Sequence, residues 1–291
     1  MKVLSFGEIL WDVYPDKKYI GGAPLNFSAH LSKMGEAVYM LSAVGKDELG
    51  TDALAQLDRW NICNRYVSVV SDKQTGACNV TLDEKMVPKY DLLQNVAYDY
   101  IDGSVGERFD VLYFGTLSLR AKHNQNSLKA ILSSNNFKEI FVDVNIRPPF
   151  YSAQTVLLGI ENATVLKISL EEMSIVADLI GMECTDYKQF AKKLCSKYPN
   201  LNCIIITLGD DGAYALDCKS GTEYSCGCDK VEVVSTVGAG DSFSAGFLHK
   251  YMQKCGIDDC LKFATKIAGF VVSHYDAVPD YDQNILKKFN Q

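Results

Sequence analysis

Apolar and polar positions along the chain follow two alternating rhythms. Short runs rich in Val, Ile, Leu and Phe at residues 2–6, 38–44, 111–114, 139–144, 165–168 and 203–207 contain few polar side chains, which is the mark of strands buried on both faces. Most are followed by helical spacing. Phe27, Leu31 and Met34 recur ahead of Gly35, and Ala53, Leu57 and Trp60 recur ahead of Asn61, so both segments read as helices with a defined stop. Strands alternating with helices predict an α/β fold, a doubly wound and mainly parallel sheet flanked by helices on both faces. Between residues 62 and 100 the rhythm changes to Val, Thr, Tyr and Cys in short runs broken by Asp72, Lys73, Gly76 and Asp83 to Lys85. Such a stretch predicts hairpins and hence a small β insertion, which residues 13–20 are placed to join. Residues 1–291 otherwise read as one domain.

Composition narrows the function classes. The chain has 291 residues, 47% of them hydrophobic, and a formal net charge of −7, enough for a large core and the wrong sign for a nucleic-acid or anionic-membrane surface. No window approaches the ~20 apolar residues that span a bilayer, and the N-terminus is too polar for a signal peptide. A cytoplasmic location is the expectation. Ten cysteines are present, yet none forms a C-x-x-C pair, and the four histidines lack ligand spacing, so neither a disulfide framework nor structural zinc is expected.

Ligands of open parallel sheets bind beyond the carboxyl ends of the strands, which directs attention to the polar residues there. Val231 to Val234 followed by Ser235-Thr236-Val237-Gly238-Ala239-Gly240-Asp241 and then Phe243, Phe247 and Met252 reads as strand, glycine loop and helix. Gly238 and Gly240 let backbone approach an anion, and the free N–H groups of a helix start supply positive potential. Asp241 is anomalous there, because a carboxylate beside phosphate is repulsive unless it takes a proton or helps hold a metal; an acidic helix start is the plainer account. The loop lacks G-x-x-x-x-G-K-[ST], and no G-x-G-x-x-G follows the first strand, so phosphoryl transfer gains on hydride transfer without the help of a P-loop.

Period-two spacing places Asp143, Asn145 and Arg147 on one side of a strand that ends at Pro148-Pro149, either as a converging polar set or as a solvated Asp143–Arg147 ion pair. Asp12 follows the first strand, and Gly21, Gly22 and Asn26 open the first helix. A carboxylate and an amide in those places suit the hydroxyls of a neutral polyol, although turn glycines and a polar first turn would look the same. Ser169 and Glu172 have capping-box spacing, with Glu172 alternatively reaching a Mg2+ ion through water. Thr207 and Gly209 mark another strand-to-loop corner, fit to wall a nucleotide.

In this order the segments resemble the ribokinase-like, PfkB-type carbohydrate kinases from Gly7 to about Pro279, with Thr236-x-Gly238-Ala239-Gly240-Asp241 the most specific piece. Gly21-Gly22-Ala23-Pro24-x-Asn26 and Asp143-x-Asn145-x-Arg147-Pro148-Pro149 are most similar to fructokinases. The resemblance implies a ribokinase-like fold with a β lid, and ATP-dependent phosphorylation of fructose to fructose 6-phosphate with ATP and Mg2+ as cofactors. It implies Asp241 as base and Gly238, Ala239 and Gly240 as anion hole. Asp12, Gly21, Gly22, Asn26, Asn145 and Arg147 then fall at sugar-side positions, Lys167, Thr207, Gly209, Thr236, Gly238 and Thr265 at nucleotide-side positions, and Glu172 near the metal. Three departures stand out: Ser235 where the family usually has Asp, Ser169 where many members have Asn, and Thr265 where an Asn often lies. The first argues against a K+ site. Ribose, a nucleoside or a sugar acid are alternative acceptors, and a turnover-deficient binding protein is an alternative of another class. Sugar and ATP are the expected partners, with a homodimer left open.

Overall fold

The computed structural model describes residues 1–82 and 88–289. Strands β1 (Lys2–Phe6), β2 (Leu10–Val13) and β3 (Lys18–Gly21) precede helix α1 (Ala23–Lys33), strand β4 (Ala37–Gly45), helix α2 (Glu48–Arg59) and strands β5 (Cys63–Val70), β6 (Gly76–Leu82) and β7 (Pro88–Leu92). Then come β8 (Val111–Phe114), α3 (Lys122–Ser134), β9 (Glu139–Asp143), α4 (Ala153–Asn162), β10 (Val165–Ser169), α5 (Leu170–Leu179) and α6 (Tyr187–Lys197). Strands β11 (Cys203–Thr207), β12 (Ala213–Asp217) and β13 (Glu223–Cys226) and helices α7 (Ala239–Met252), α8 (Ile257–Val272) and α9 (Gln283–Phe289) complete the order.

Among the described residues nine strands form one sheet in the order β13-β12-β11-β10-β9-β8-β1-β4-β5. It is parallel from β11 to β5, with β12 and β13 added antiparallel at one edge. Alternation within each strand feeds two cores, as the pleat requires. Val3, Val111, Phe141, Val165 and Ile205 pack beneath α1, α7 and α8 on one face, while Leu4, Phe6, Leu112, Val142, Leu166 and Ile204 pack beneath α3 to α6 on the other. The doubly wound α/β expectation therefore holds, and the six apolar runs at residues 2–6, 38–44, 111–114, 139–144, 165–168 and 203–207 all fall in its strands to within one residue.

A second sheet of four strands, β3-β2-β6-β7, stands over the carboxyl ends of the first as a lid. It draws on residues 10–21 as well as on the predicted insertion, because β2 pairs with both β3 and β6. Two expectations need correction. The first run of the insertion, β5, pairs parallel with β4 and extends the main sheet instead of the lid; its apolar alternation does not tell which sheet it joins. Residues 231–234 form no strand: Val231 and Val233 are exposed, and Val234 N–H donates to Val272 O without a ladder partner. Residues 83–87 of the predicted insertion lie outside the described residues.

Candidate functional site

The lid, the ends of β1 and β9 and the start of α7 enclose a cavity of about 1370 Å³. Its position beyond the parallel strands is the one open α/β sheets reserve for ligands. Asp12, Gly21, Gly22, Asn26, Asn145, Arg147, Lys167, Thr236, Gly238, Gly240 and Asp241 all line it. Ala239, Glu172, Thr207, Gly209 and Thr265 do not.

Backbone conformation sets the floor. Gly238 is the N-cap of α7 at φ 82, and no side chain caps the helix. A Cβ there would lie 2.6 Å from Ala277 O, so only glycine lets the chain turn into the helix here, at a start that lines the cavity through Gly238 and Gly240 while the Ala239 N–H donates back to Thr236 O. Gly22, the N-cap of α1 at φ 113, is equally constrained, since its Cβ would meet Glu8 O at 2.5 Å. These two turns bring Asp241 and Asn26 together: Asn26 Nδ2 donates to Asp241 Oδ2 at 2.8 Å, 215 residues apart in sequence. Burial pushes the Asp241 carboxyl up to about 6, against the Asn26 hydrogen bond; Asp143 adds to the rise, while Lys167 and Arg147 oppose it. A carboxylate so placed binds a proton readily at neutral pH.

Behind Asp241 lies a buried polar knot. Lys167 Nζ on β10 donates to both oxygens of Asp143 on β9 at 2.9 and 2.8 Å, and Ser244 Oγ on α7 donates to Asp143 Oδ2 at 3.0 Å. Burial opposes the Lys167 charge, but Asp143, Glu172 and Asp241 outweigh it and hold the ammonium above its usual pKa. A Cβ on Gly240 would sit 3.3 Å from Lys167 Nζ, so the ammonium underlies the glycine loop and adds to its positive potential. Asp143 therefore pairs with Lys167, and no Asp143–Arg147 ion pair exists among the described residues. Strand β9 ends at Asp143 and Asn145 is left-handed at φ 44, so a turn, rather than period-two alternation, carries Asn145 and Arg147 to the cavity.

Arg147 is exposed and forms no ion pair among the described residues, yet its charge is felt by Glu8, Asp12 and Asp241. Burial raises Asp12, with Arg147 opposing. Glu8 is 2% exposed, and burial pushes it up to about 7, against the N–H groups of Glu8 and Ala23 and the charge of Arg147. Neither Glu8 nor Ser244 is marked by the sequence pattern; the i, i+3 spacing of Asp241 and Ser244 was the available signal for the latter.

Phosphate fits this floor, as the uncapped α7 start, the left-handed Gly238 and the Lys167 ammonium show. Divalent-cation ligands are sparser. No group of three or more His, Cys, Asp or Glu side chains gathers among the described residues. Glu172 forms the predicted capping box with Ser169, and its two oxygens accept the N–H groups of Ser169 and Ile146. Burial raises its pKa, with Lys167 opposing. Mg2+ at this site fits as an ion held mostly by nucleotide phosphates and water, as is usual for that ion. On the nucleotide side, the Thr207–Gly212 corner is covered by the segment after β13: Cys226 O fills the space a Gly212 Cβ would need, and Cys228 Sγ donates to Gly209 O. Thr265 is buried in α8 with its hydroxyl unpartnered among the described residues. At Ser235 the Oγ accepts the Val237 N–H at 3.2 Å, ordering the loop from within.

The model of the pfkB family of carbohydrate kinases matches residues 5–284. A 5-dehydro-2-deoxygluconokinase of Lacticaseibacillus casei is 26% identical, over 97% of this chain and 90% of its own. The probable chloroplastic fructokinase-6 of Arabidopsis thaliana is also 26% identical, over 95% of this chain and 79% of its own. Among solved structures, the fructokinase from Vibrio cholerae O395 in its fructose-, ADP- and calcium-bound form superposes with a TM-score of 0.85 at 20% identity, covering 100% of this chain and 99% of that one.

Proposed function

The chain belongs to the pfkB family of carbohydrate kinases, enzymes of ATP-dependent sugar phosphorylation, and from that premise we propose that its acceptor is fructose, phosphorylated at the C6 hydroxyl with Asp241 as general base. One observation carries this reading: Asp241 is a buried carboxylate, oriented by Asn26, in the first turn of α7, whose start has no side-chain cap and lies in the cavity wall at Gly238 and Gly240. Asp241 takes the proton of the primary hydroxyl as that oxygen attacks the γ-phosphorus; the bond to the bridging oxygen of ADP breaks, and the proton leaves Asp241 for solvent afterwards. The N–H groups after Gly238, with Lys167 beneath them, stabilise the charge on the transferring group. Bound with the nucleotide, Mg2+ supplies further charge neutralisation at the phosphates. On the sugar side, Asp12 and Asn26 hold hydroxyls, with Gly21 and Gly22 giving close approach. The lid strands β2 and β3 supply the cavity wall that excludes water, the competing acceptor.

The charge balance of the cavity favours a neutral sugar. With Asp143 and Lys167 neutralising each other, the lining carries Glu8, Asp12, Asp91, Asp241, Asp276 and Asp280 against Lys17, Lys18 and Arg147, an excess of acidic groups that disfavours an anionic acceptor. A sugar acid is the second reading, favoured by the absence of an ion pair at Arg147 among the described residues and by the 5-dehydro-2-deoxygluconokinase relative; the guanidinium would then take the substrate carboxylate. ADP release measured with fructose, ribose, glucose, a nucleoside and 5-dehydro-2-deoxygluconate separates them. The fructose reading fails if another acceptor gives a kcat/KM more than about tenfold higher, the ratio that ~1.4 kcal/mol of transition-state binding produces.

A further inference from the structure

The lid carries a row of side chains of which the roles above use one member. Tyr19, Asp12, Cys78 and Leu92, on β3, β2, β6 and β7, are ladder neighbours in turn, so their side chains share one face of the sheet. All four line the cavity. The alternate residues Trp11 and Ile20 leave by the other face, where they pack into the core with Leu49 and Trp60, and the Trp11 indole N–H donates to Leu49 O at 3.0 Å. The row is therefore a roof over the acceptor, and its chemistry changes halfway along. Tyr19 and Asp12 are polar, whereas Cys78 and Leu92 are not.

Adjacent strands stand about 4.8 Å apart, so a sugar ring whose hydroxyls Asp12 holds extends beneath Cys78. That residue is a free thiol, 7% exposed. Burial and the charges of Asp12 and Asp91 push it up to about 11, so at neutral pH it presents S–H, which behaves as a small apolar group with weak donor and acceptor capacity. A sugar hydroxyl turned toward it would give up water without a partner of comparable strength, while a C–H edge would lose nothing.

We propose that Cys78 is a specificity-determining residue of the acceptor site, whose thiol packs with Leu92 on a C–H edge of the sugar and rejects acceptors that turn a hydroxyl or a charge to that point of the roof. The inference rests on the sugar-kinase reading of the cavity and adds to it the kind of acceptor edge that the roof accepts. The competing account is a thiol sealed within the lid against Leu92, which contributes packing alone. Such a thiol would be neither shielded by sugar nor able to sort epimers.

Two measurements separate these accounts. The parent sugar is whichever acceptor of the panel above gives the highest kcat/KM, so that a wrong fructose assignment leaves the test intact, and turnover of any acceptor by wild type reports on the kinase reading by itself. First, wild-type protein is treated with methyl methanethiosulfonate, whose methylthio group passes to a thiolate as methanesulfinate leaves, and modification of Cys78 is followed by peptide mass spectrometry. Cys78 should react in the free protein, and about fivefold or more slowly with the sugar at ~20 times its KM. Second, each epimer of the parent sugar is assayed with wild type, with Cys78→Ser, which offers a hydroxyl partner, and with Cys78→Ala, which opens space for one. The ratio of kcat/KM for epimer over parent should rise about threefold or more in a variant for at least one epimer, with the ATP KM within about twofold of wild type. Should one variant not fold, the other decides; should neither fold, the labelling alone decides. A Cys78 that is unreactive in the free protein, a slowing by sugar of less than about fivefold, or a rise below about threefold for every epimer in the folded variants overturns the proposal and leaves the packing account.

Discussion

At the residue scale, burial and chemistry oppose each other at Asp241. Its carboxyl is held near 6 in the folded protein, above the ordinary 3.8. Because the base must be unprotonated to act, kcat/KM should fall as pH drops through about 6; a pH–rate profile that stays flat down to pH ~4.5 would remove Asp241 from the role. The same shift has a stability sign. The folded state binds more protons than the unfolded one between the two pKa values, so stability is lost as pH rises through the folded value, and at neutral pH the ionised group costs up to about 3 kcal/mol. Asp241→Asn should therefore lower kcat by ~10²–10⁴-fold while raising Tm by several °C at neutral pH, since asparagine still accepts from Asn26. An unchanged kcat, or a lower Tm, contradicts this account. At Asp12 the effect should fall on binding. Each charge-assisted hydrogen bond to a sugar hydroxyl is worth ~1.5–3 kcal/mol, so Asp12→Ala should raise the sugar KM tenfold or more and leave the ATP KM nearly unchanged. Equal changes in both would mark a structural role.

At the scale of elements, the start of α7 depends on a strap that follows α8. Gly238 is left-handed, and its missing side chain is replaced by Ala277, whose Cα and Cβ would both lie 2.9 Å from an added methyl. Ala277 O is in turn 2.9 Å from His30 Nε2, and Tyr281 OH is 2.9 Å from His30 Nδ1. Burial lowers His30 to about 4, so the neutral ring donates to the Ala277 carbonyl from Nε2 and accepts from Tyr281. Gly238→Ala should move the strap or the helix start. The expected result is a kcat loss of ~10²-fold or more with a stability cost of about 1–3 kcal/mol, read from single-turnover rates and urea unfolding. Near-normal kcat would mean that the first-turn N–H groups of α7 do not need this placement.

At the scale of the whole molecule, one ion pair ties three elements under the site. Asp143 on β9 meets Lys167 on β10 and Ser244 on α7, with the Lys167 and Asp143 side chains 6% and 1% exposed. Removing one partner of such a pair strands the other charge in low dielectric. Asp143→Asn should cost about 3–5 kcal/mol, measured by chemical denaturation, and should also lower kcat by loosening the Lys167 ammonium beneath Gly240. A stability change under about 1 kcal/mol would show that Lys167 finds water or another acceptor. The remaining surface carries its ionic contacts mainly at exposed sites such as Lys18–Asp52 and Lys262–Asp258, which contribute little by comparison.

The chain by itself determined the strands of the parallel sheet other than β5, the first two helices, the capping box at Ser169 and the glycine loop that ends in Asp241, because periodicity, caps and turn residues act over a few positions. It also placed Asn26 in the first turn of a helix and Arg147 beyond a strand end, where a cavity forms, whereas Asp12 reaches the same cavity from within lid strand β2. What it could not determine was pairing over long separations. That β5 joins the main sheet, that Asp143 selects Lys167 over Arg147, and that Asn26 orients Asp241 all depend on which faces meet after collapse. Local patterns fix where a polar side chain sits on its own element, whereas its partner and its pKa follow from the burial and charges that the other elements bring, and those exist only in the folded chain.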